Sequence, residues 1–335
     1  MTFPPHMSLF ISTLILGSFM SLSANHWLFI WMGLELNLLS FIPLICSTTH
    51  TQESEAAVKY FLAQAFGSGL LLLGSINMYW TPQLLMNSQP LSWFLLMGLL
   101  VKLGMPPCHF WFPLVTASLS WPMVLVLLTW QKIVPMMLLF YIFFNFTPKI
   151  MILILVSGAL IGGLGGLNQS QLRPILAYSS IGHMTWMISG SMASLSASLF
   201  YLLIYILISS ALIIMMWNYS MPLSSLLDNL SSTPPIFLFS ILILLLSLGG
   251  LPPLLGFIPK WLTLQALTQI NIMIPLILIM GSVLNLIYYL NVVFISSMSL
   301  NKPSILTSNK GPHRISSLFM GTTLLGAAPL SLMLT

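Results

Sequence analysis

Continuous apolar runs of about 20 residues recur along the whole chain, and they constrain its fold more than any other feature. A helical run of this length matches the hydrocarbon thickness of a bilayer, whereas barrel strands would alternate apolar and polar residues. Only 4% of the 335 residues are charged, against about 25% in soluble domains. The sequence therefore predicts an all-α polytopic membrane protein.

Polar and proline-rich breaks divide the chain into about eleven membrane spans. The predicted spans are 8–24, 26–46, 57–80, 91–119, 122–144, 149–167, 171–191, 194–217, 236–269, 272–297 and 316–334. The fourth and ninth are too long for one plain helix, and each contains a proline pair. No soluble segment is large enough for a nucleotide, flavin or iron–sulfur site, and no basic run suggests nucleic-acid binding.

Loop cations predict the orientation of the chain. If the N-terminal side is called side A, the span count puts only Lys149 on the opposite side, side B. The cations on side A are Lys59, Arg173, Lys302, Lys310 and Arg314. Because cytoplasmic loops are enriched in lysine and arginine, side A is expected to face the cytoplasm-equivalent compartment, with the C-terminus on side B.

The two long spans share a motif. Residues 104–113 read GMPPCHFWFP and residues 250–259 read GLPPLLGFIP. They align a glycine, a proline pair and a later proline, and they cross in opposite senses. This predicts two inverted five-helix repeats, 8–144 and 149–297, with discontinuous helices, followed by a side A loop and a last helix in 298–335. The alternative is that each motif is an ordinary loop between two shorter helices.

Four charged side chains lie well inside predicted spans: Glu35, in WMGLELNLLSF, and Lys102, Lys132 and Lys260. Together they oppose insertion by about 10 kcal/mol before any pairing. Lys102 precedes the first proline break, Lys260 follows the second, and Lys132 lies halfway along the fifth span. Because desolvation disfavours a charged amine and a nearby carboxylate restores it, these residues predict a proton relay in which Glu35 tunes Lys102.

A static ion pair between Glu35 and one lysine is the structural alternative. Buried ion pairs contribute little net stability, and this one would leave at least two lysines without an acid. Lys59 is interpreted as snorkelling to the membrane interface, and Glu53 and Glu55 as solvated loop residues. Three weakly paired lysines along the membrane centre therefore favour a relay.

His183 lies midway through the seventh span, in AYSSIGHMTW, among hydroxyl side chains. Histidine titrates near neutral pH and hydroxyls support water chains, so His183 is a further candidate for the relay. A structural hydrogen bond between helices is the alternative, and the sequence leaves both open. Cys108 and His109 have no further ligands nearby, which disfavours a metal site.

Five motifs together give the chain a specific resemblance. They are WMGLELNLLSF, VKYFLAQAFGSGLLLLG, KLGMPPCHFWFP, AYSSIGHM and GGLPPLLGFIPKW. The set closely resembles the NADH dehydrogenase subunit 2 family of mitochondrial respiratory complex I. The resemblance implies an antiporter-like fold lacking three N-terminal helices, in the mitochondrial inner membrane, with the N-terminus on the matrix side and the C-terminus on the intermembrane-space side.

The resemblance also implies a function. Family members are core membrane-arm subunits of the proton-pumping NADH:ubiquinone oxidoreductase and have no catalytic redox site of their own. FMN, iron–sulfur clusters and ubiquinone would belong to other subunits. The implied partners are neighbouring antiporter-like and small membrane subunits, accessory subunits and lipid such as cardiolipin. The family's relay positions match Glu35, Lys102, Lys132 and Lys260, and other members often have histidine at the position of His183.

Protons are expected to move from side A to Lys102, then to Lys132, and to leave through Lys260 towards side B. Quinone reduction elsewhere in the complex would drive the transfer. Two other functions stay open. One is an independent Mrp-like sodium/proton antiporter, which the truncated start disfavours. The other is a structural spacer of the membrane arm, which predicts dispensable lysines.

Overall fold

The regular elements of the chain are helices in every range described by the computed structural model. These ranges are 5–47, 51–80, 89–143, 148–218, 235–252 and 254–299. The chain divides into two compact units, Met1–Met151 and Ile152–Thr335. Each unit is described by itself below.

The first unit contains seven helices in its described residues. They are α1 (Pro5–Ser23), α2 (Trp27–Ile45), α3 (Thr51–Trp80), α4 (Gln89–Leu103), α5 (Trp111–Ser118), α6 (Trp121–Leu128) and α7 (Trp130–Phe143). Helix α3 packs on α2, α4 and α5, and α4 also packs on α7. The α1–α2 contact depends on small residues, because a Cβ atom on Gly17 would lie 2.8 Å from the Gly33 carbonyl oxygen.

The second unit is built around one helix that is largely buried by its neighbours. Its helices are α8 (Pro148–Leu167), α9 (Leu172–Ala193), α10 (Leu195–Asn218), α11 (Pro235–Gly249), α12 (Phe257–Thr268) and α13 (Met273–Ser299). Helix α9 packs on α10, α12 and α13. All of its residues from 172 to 191 except Tyr178 are buried, so α9 forms the core of this unit.

Helices occupy all the predicted spans between residues 8 and 297, singly or in pairs. Six of these segments are long and apolar enough to cross a membrane. The eleventh span, 316–334, lies outside the described residues, as does the loop of Lys302, Lys310 and Arg314. The count of eleven crossings, the inverted relation of the repeats and the orientation stay predictions.

The start of the third span was predicted wrongly. Helix α3 begins at Thr51, six residues before the predicted start at 57. Glu53 is buried in its first turn, so Glu53 is not a solvated loop residue. Glu55 is exposed and lies 2.6 Å from the Lys59 ammonium, four residues along the helix. Such an exposed pair is screened by solvent and contributes little to stability.

A helix ends at each of the two motifs, and the same local structure produces both ends; whether each pair is one discontinuous helix or two shorter helices joined by a loop stays a prediction. Gly104 follows α4 with φ +71°, and Gly250 follows α11 with φ +78°, a left-handed conformation that favours glycine. The Gly104 amide donates to the Val101 carbonyl at 3.1 Å, and the Met105 amide to Leu100 at 2.9 Å. This is the Schellman end of a helix, and the prolines that follow prevent its continuation.

The second interruption repeats the pattern. The Gly250 amide donates to Ser247 at 3.0 Å, and the Leu251 amide donates to Leu246 at 3.4 Å. In the motif GxPP, the glycine therefore supplies the left-handed residue. The amide of the apolar residue after it donates to the carbonyl five residues earlier. The shared motif encodes a shared helix end.

Candidate functional site

Glu35 lies in the middle of α2, as the ninth of its 19 residues. Its side chain is half-buried, and Oε2 is buried with no hydrogen bond in the described part of the chain. The Glu35 charge acts on the Lys102 ammonium, yet no ion pair of 4 Å or less joins Glu35 to a lysine among the described residues. The static ion pair is therefore absent from the described residues, although Glu35 lies near enough to Lys102 to influence its charge.

Lys102 is the last residue but one of α4, and the backbone around it is held by two neighbouring helices. The side-chain amide of Gln64 on α3 donates to the Lys102 carbonyl at 3.1 Å. The indole of Trp111 on α5 donates to the Val101 carbonyl at 3.1 Å. The last carbonyls of a helix lack the usual amide donor four residues along the chain, so these bonds, together with that from Gly104 to Val101, fix the end of α4. The Lys102 side chain itself is 7% exposed.

A third helix interruption lies beside Lys132, and the sequence reasoning missed it. The predicted span 122–144 is divided between α6 and α7 at Thr129, where φ is −112° and ψ is −72°. The Thr129 hydroxyl donates to the Leu125 carbonyl at 2.6 Å. Pro135 has no amide hydrogen, so the carbonyl of Gln131 loses its helical donor. Pro135 was the feature of the sequence that could have indicated that this span is not one regular helix.

Lys132 occupies the first turn of α7 and is 6% exposed. Its ammonium nitrogen lies 4.8 Å from the centre of the Phe112 ring on α5. The face of an aromatic ring attracts a cation, and the attraction grows when water is excluded. Phe112 therefore favours a position for the Lys132 ammonium that faces α5.

One cavity joins Lys102 and Lys132. Its volume is about 20 Å³, which is enough for about one water molecule. Its polar lining consists of Asn37, Tyr60, Gln64, Lys102, Trp111, Gln131 and Lys132. The Gln131 side-chain amide donates to the Asn37 side-chain oxygen at 2.8 Å and links α7 to α2. The two lysines therefore share a small polar chamber.

The sequence reasoning missed the amides of this chamber. Asn37 follows Glu35 by two residues, and Gln131 directly precedes Lys132. Polar residues inside apolar spans are costly and mark functional paths, so their positions were the signal that could have found them.

Lys260 lies on α12 of the second unit but reaches back to the end of α11. Its ammonium donates to the Gly249 carbonyl at 2.6 Å. A cation is favoured at the C-terminal end of a helix, where unpaired carbonyls point outward. Lys102 lies before the first interruption, at the end of α4. Lys260 lies after the second interruption, but its ammonium also lies at the end of the preceding helix, α11.

His183 is buried on α9, and its Nδ1 atom lies 2.9 Å from the Tyr201 hydroxyl on α10. Its ring also contacts Tyr205, with ring centres 5.3 Å apart. The hydrogen bond between helices foreseen as the structural alternative is thus present. Because Tyr201 supplies a hydroxyl, the bond is also a route for a proton, and both interpretations of His183 stand.

The structure brings the candidate residues together in two groups. Glu35, Lys102 and Lys132 belong to the first unit, on α2, α4 and α7. His183 and Lys260 belong to the second, on the adjacent helices α9 and α12. Among the described residues, no cluster of three or more histidine, cysteine or acidic side chains has metal-binding geometry.

Comparison with known proteins gives a consistent family. Residues 24–287 match the family described as NADH:quinone oxidoreductase/Mrp antiporter, TM. NADH-ubiquinone oxidoreductase chain 2 of Lumbricus terrestris is 44% identical, covering 88% of this chain and 88% of the relative. The protein of that name from Dasypus novemcinctus is 41% identical, covering 86% of this chain and 84% of the relative.

Solved structures agree with this assignment. A chain of respiratory complex I from Thermus thermophilus has a TM-score of 0.83 at 26% identity, covering 97% of this chain and 78% of that one. A chain of the Mrp complex from Dietzia sp. DQ12-45-1b has a TM-score of 0.81 at 16% identity, covering 96% and 75%. The second likeness is one of fold alone. The resemblance carried by the five motifs is confirmed, and the chain belongs to the NADH:quinone oxidoreductase/Mrp antiporter family as one of its NADH-ubiquinone oxidoreductase chain 2 proteins.

Proposed function

We propose that this chain is a proton-translocating subunit in the membrane arm of NADH:ubiquinone oxidoreductase. The name shared by its relatives supports membership of that complex, and the cavity joining Lys102 and Lys132 carries the proton part of the proposal. The complex would lie in the mitochondrial inner membrane, with the N-terminus of this chain facing the matrix. FMN, iron–sulfur clusters and ubiquinone would be held by other subunits, and neighbouring membrane subunits and cardiolipin would contact this one.

The first proton transfer runs through the chamber. A protonated Lys102 donates a proton to a water in the cavity, and that water passes one of its own protons to the lone pair of a neutral Lys132. The side-chain amides of Asn37 and Gln131 orient the water, and the Phe112 ring stabilises the new cation. Lys102 ends neutral and Lys132 charged, so the net charge is unchanged.

Glu35 controls when this transfer occurs. Its carboxylate stabilises the protonated form of Lys102. A field change along the membrane arm that weakens this influence makes Lys102 a better donor to the chamber. The Lys102 proton is then lost to Lys132, and Lys102 is ready to be reloaded from side A. Because Glu35 forms no direct ion pair with Lys102 among the described residues, a field change can alter this influence without breaking one.

The second unit carries the proton onward. Lys260 holds its ammonium against the Gly249 carbonyl at 2.6 Å, and His183 with Tyr201 supplies a second exchange site. Release from Lys260 towards side B completes the transfer. The chain moves protons only, and the redox chemistry that drives them takes place elsewhere in the complex.

Membership of the complex is tested on a native gel of gently solubilised membranes stained for NADH dehydrogenase activity. Peptides of this chain are expected in the active band. Migration outside that band would favour an independent Mrp-like antiporter, whose fold is similar. Sodium-dependent proton exchange by the isolated chain in vesicles would support that alternative directly.

The relay is tested with Lys132→Met in the assembled complex. Lys132→Met removes the acceptor, so NADH-driven proton pumping in vesicles is expected to be lost although the complex assembles. Lys302→Met, in the predicted side A loop, is the matched control and should pump normally. Normal pumping by Lys132→Met would support the structural-spacer function instead.

A further inference from the structure

Three buried polar side chains on α13 take no part in the relay described above. They are Asn285, Tyr288 and Tyr289, and their spacing of three and four residues puts them on one face of the helix. The Asn285 side-chain oxygen and both tyrosine hydroxyls are buried without a hydrogen bond of 3.5 Å or less in the described residues. Buried polar groups are almost always satisfied, so three on one face require an explanation.

This face of α13 lies against the α9 segment that carries His183. Both tyrosine hydroxyls lie near the Ser179 hydroxyl on α9, and the two tyrosine rings pack edge to face with their centres 4.7 Å apart. A Cβ atom on Gly182 would lie 2.5 Å from the Asn285 side-chain nitrogen. The amide of Asn285 therefore lies against the backbone of the residue that directly precedes His183.

The tyrosines continue towards His183. Tyr289 lies near Tyr201 and Tyr205 on α10. The Tyr201 hydroxyl lies 2.9 Å from His183 Nδ1. Tyr288, Tyr289 and Tyr201 are therefore a row of neighbouring tyrosines that leads to the imidazole, and its last step, from Tyr201 to His183, is a direct hydrogen bond.

A cavity lies at the other end of this row. It has a volume of about 220 Å³ and is lined by Gly166, Gln169, Tyr288, Asn291 and apolar residues of α9 and α13. This volume is many times that needed for one water, and its polar lining supplies partners for water. It lies where α8 ends and α9 begins, at the connection that the sequence predicts on side A.

We propose that this face of α13 is a proton-uptake path of the second unit, leading from the cavity to His183 without passing through Lys102. A hydronium ion, formed in the cavity by a proton from side A, donates that proton to the Tyr288 oxygen as the Tyr288 hydroxyl passes its own proton onward, and the hydronium ion is left as water. Tyr289 and Tyr201 repeat the exchange through bridging waters, and Nδ1 of His183 accepts the last proton. Every hydroxyl keeps one proton, and the imidazole gains one.

The path rests on the proposed function, because a proton delivered to His183 needs an onward route. The test uses the assembled complex carrying Tyr288→Phe and Tyr289→Phe together, which removes two oxygen atoms and keeps both rings. NADH-driven proton pumping is expected to fall about ten-fold, less than for loss of a direct acid–base residue, because cavity water substitutes in part. Tyr141→Phe is the control, since Tyr141 is 75% exposed, and it should leave pumping unchanged.

A second measurement on the unaltered complex applies if the double variant fails to assemble. Hydroxyl radicals generated from bound water by a brief X-ray pulse should label Tyr288 and Tyr289. Absence of label on both would overturn the path.

The two proposals fail in distinguishable ways. If the tyrosine variant pumps normally and Lys132→Met does not, the uptake path is wrong and the relay stands. If both variants pump normally, the proposed function itself is wrong.

Discussion

Adding one methyl group at Gly250 is expected to displace the Lys260 ammonium. The Cβ atom of an alanine there would lie 2.8 Å from the Lys260 nitrogen and 2.8 Å from its Cδ atom. Gly250 also has φ +78°, a conformation that costs an L-residue about 1–2 kcal/mol. Losing the 2.6 Å bond from Lys260 to the Gly249 carbonyl costs a further 1.5–3 kcal/mol or so, because the donor is charged.

Together these penalties come to about 2.5–5 kcal/mol, or roughly 70-fold or more in the population of the native arrangement. The assay compares Gly250→Ala with Gly249→Ala for assembly on a native gel, thermal inactivation and proton pumping. A Cβ atom on Gly249 would meet its nearest neighbour, Tyr289, at an ordinary 3.5 Å, so this control should behave as the unaltered chain. If Gly250→Ala assembles and pumps as well as Gly249→Ala, the placement of Lys260 at the end of α11 is wrong.

Three further substitutions test other parts of the account. Glu35→Gln should leave thermal stability unchanged, since Glu35 forms no ion pair among the described residues, but it should slow proton pumping; a large stability loss on heating would contradict this. Gln131→Leu removes the 2.8 Å bond to Asn37, and it should lower thermal stability by about 1 kcal/mol and pumping more than proportionately. Gly33→Val should block close packing of α1 on α2, because a Cβ atom there would lie 2.7 Å from the Ser21 amide; full assembly on a native gel would refute that.

Much of the helical structure could be predicted because each signal is local. The apolar run 26–46 predicted α2 to within a residue at each end. The motif GxPP predicted both interruptions, since a left-handed glycine followed by proline ends a helix wherever it occurs. Glu35 was placed at the middle of its helix by counting residues from the start of the same run.

The contacts of the site could not be predicted from the sequence in the same way, because they join residues that are far apart in the chain. Nothing in the local pattern pairs Asn37 with Gln131, or brings Phe112 over Lys132. Glu53 was interpreted as a solvated loop residue, yet it is buried in the first turn of α3. In each case packing between helices decided the outcome, and a single sequence does not encode packing as a periodic signal.

The most direct test of the relay is the number of protons pumped per NADH oxidised by the complex carrying Lys132→Arg. Arginine keeps the positive charge over Phe112 but does not release its proton near neutral pH. If Lys132 carries protons, the variant assembles and pumping by this subunit is lost, so the ratio falls to the value found with Lys132→Met. A ratio equal to that of the unaltered complex would show that only the charge matters, and it would contradict the relay.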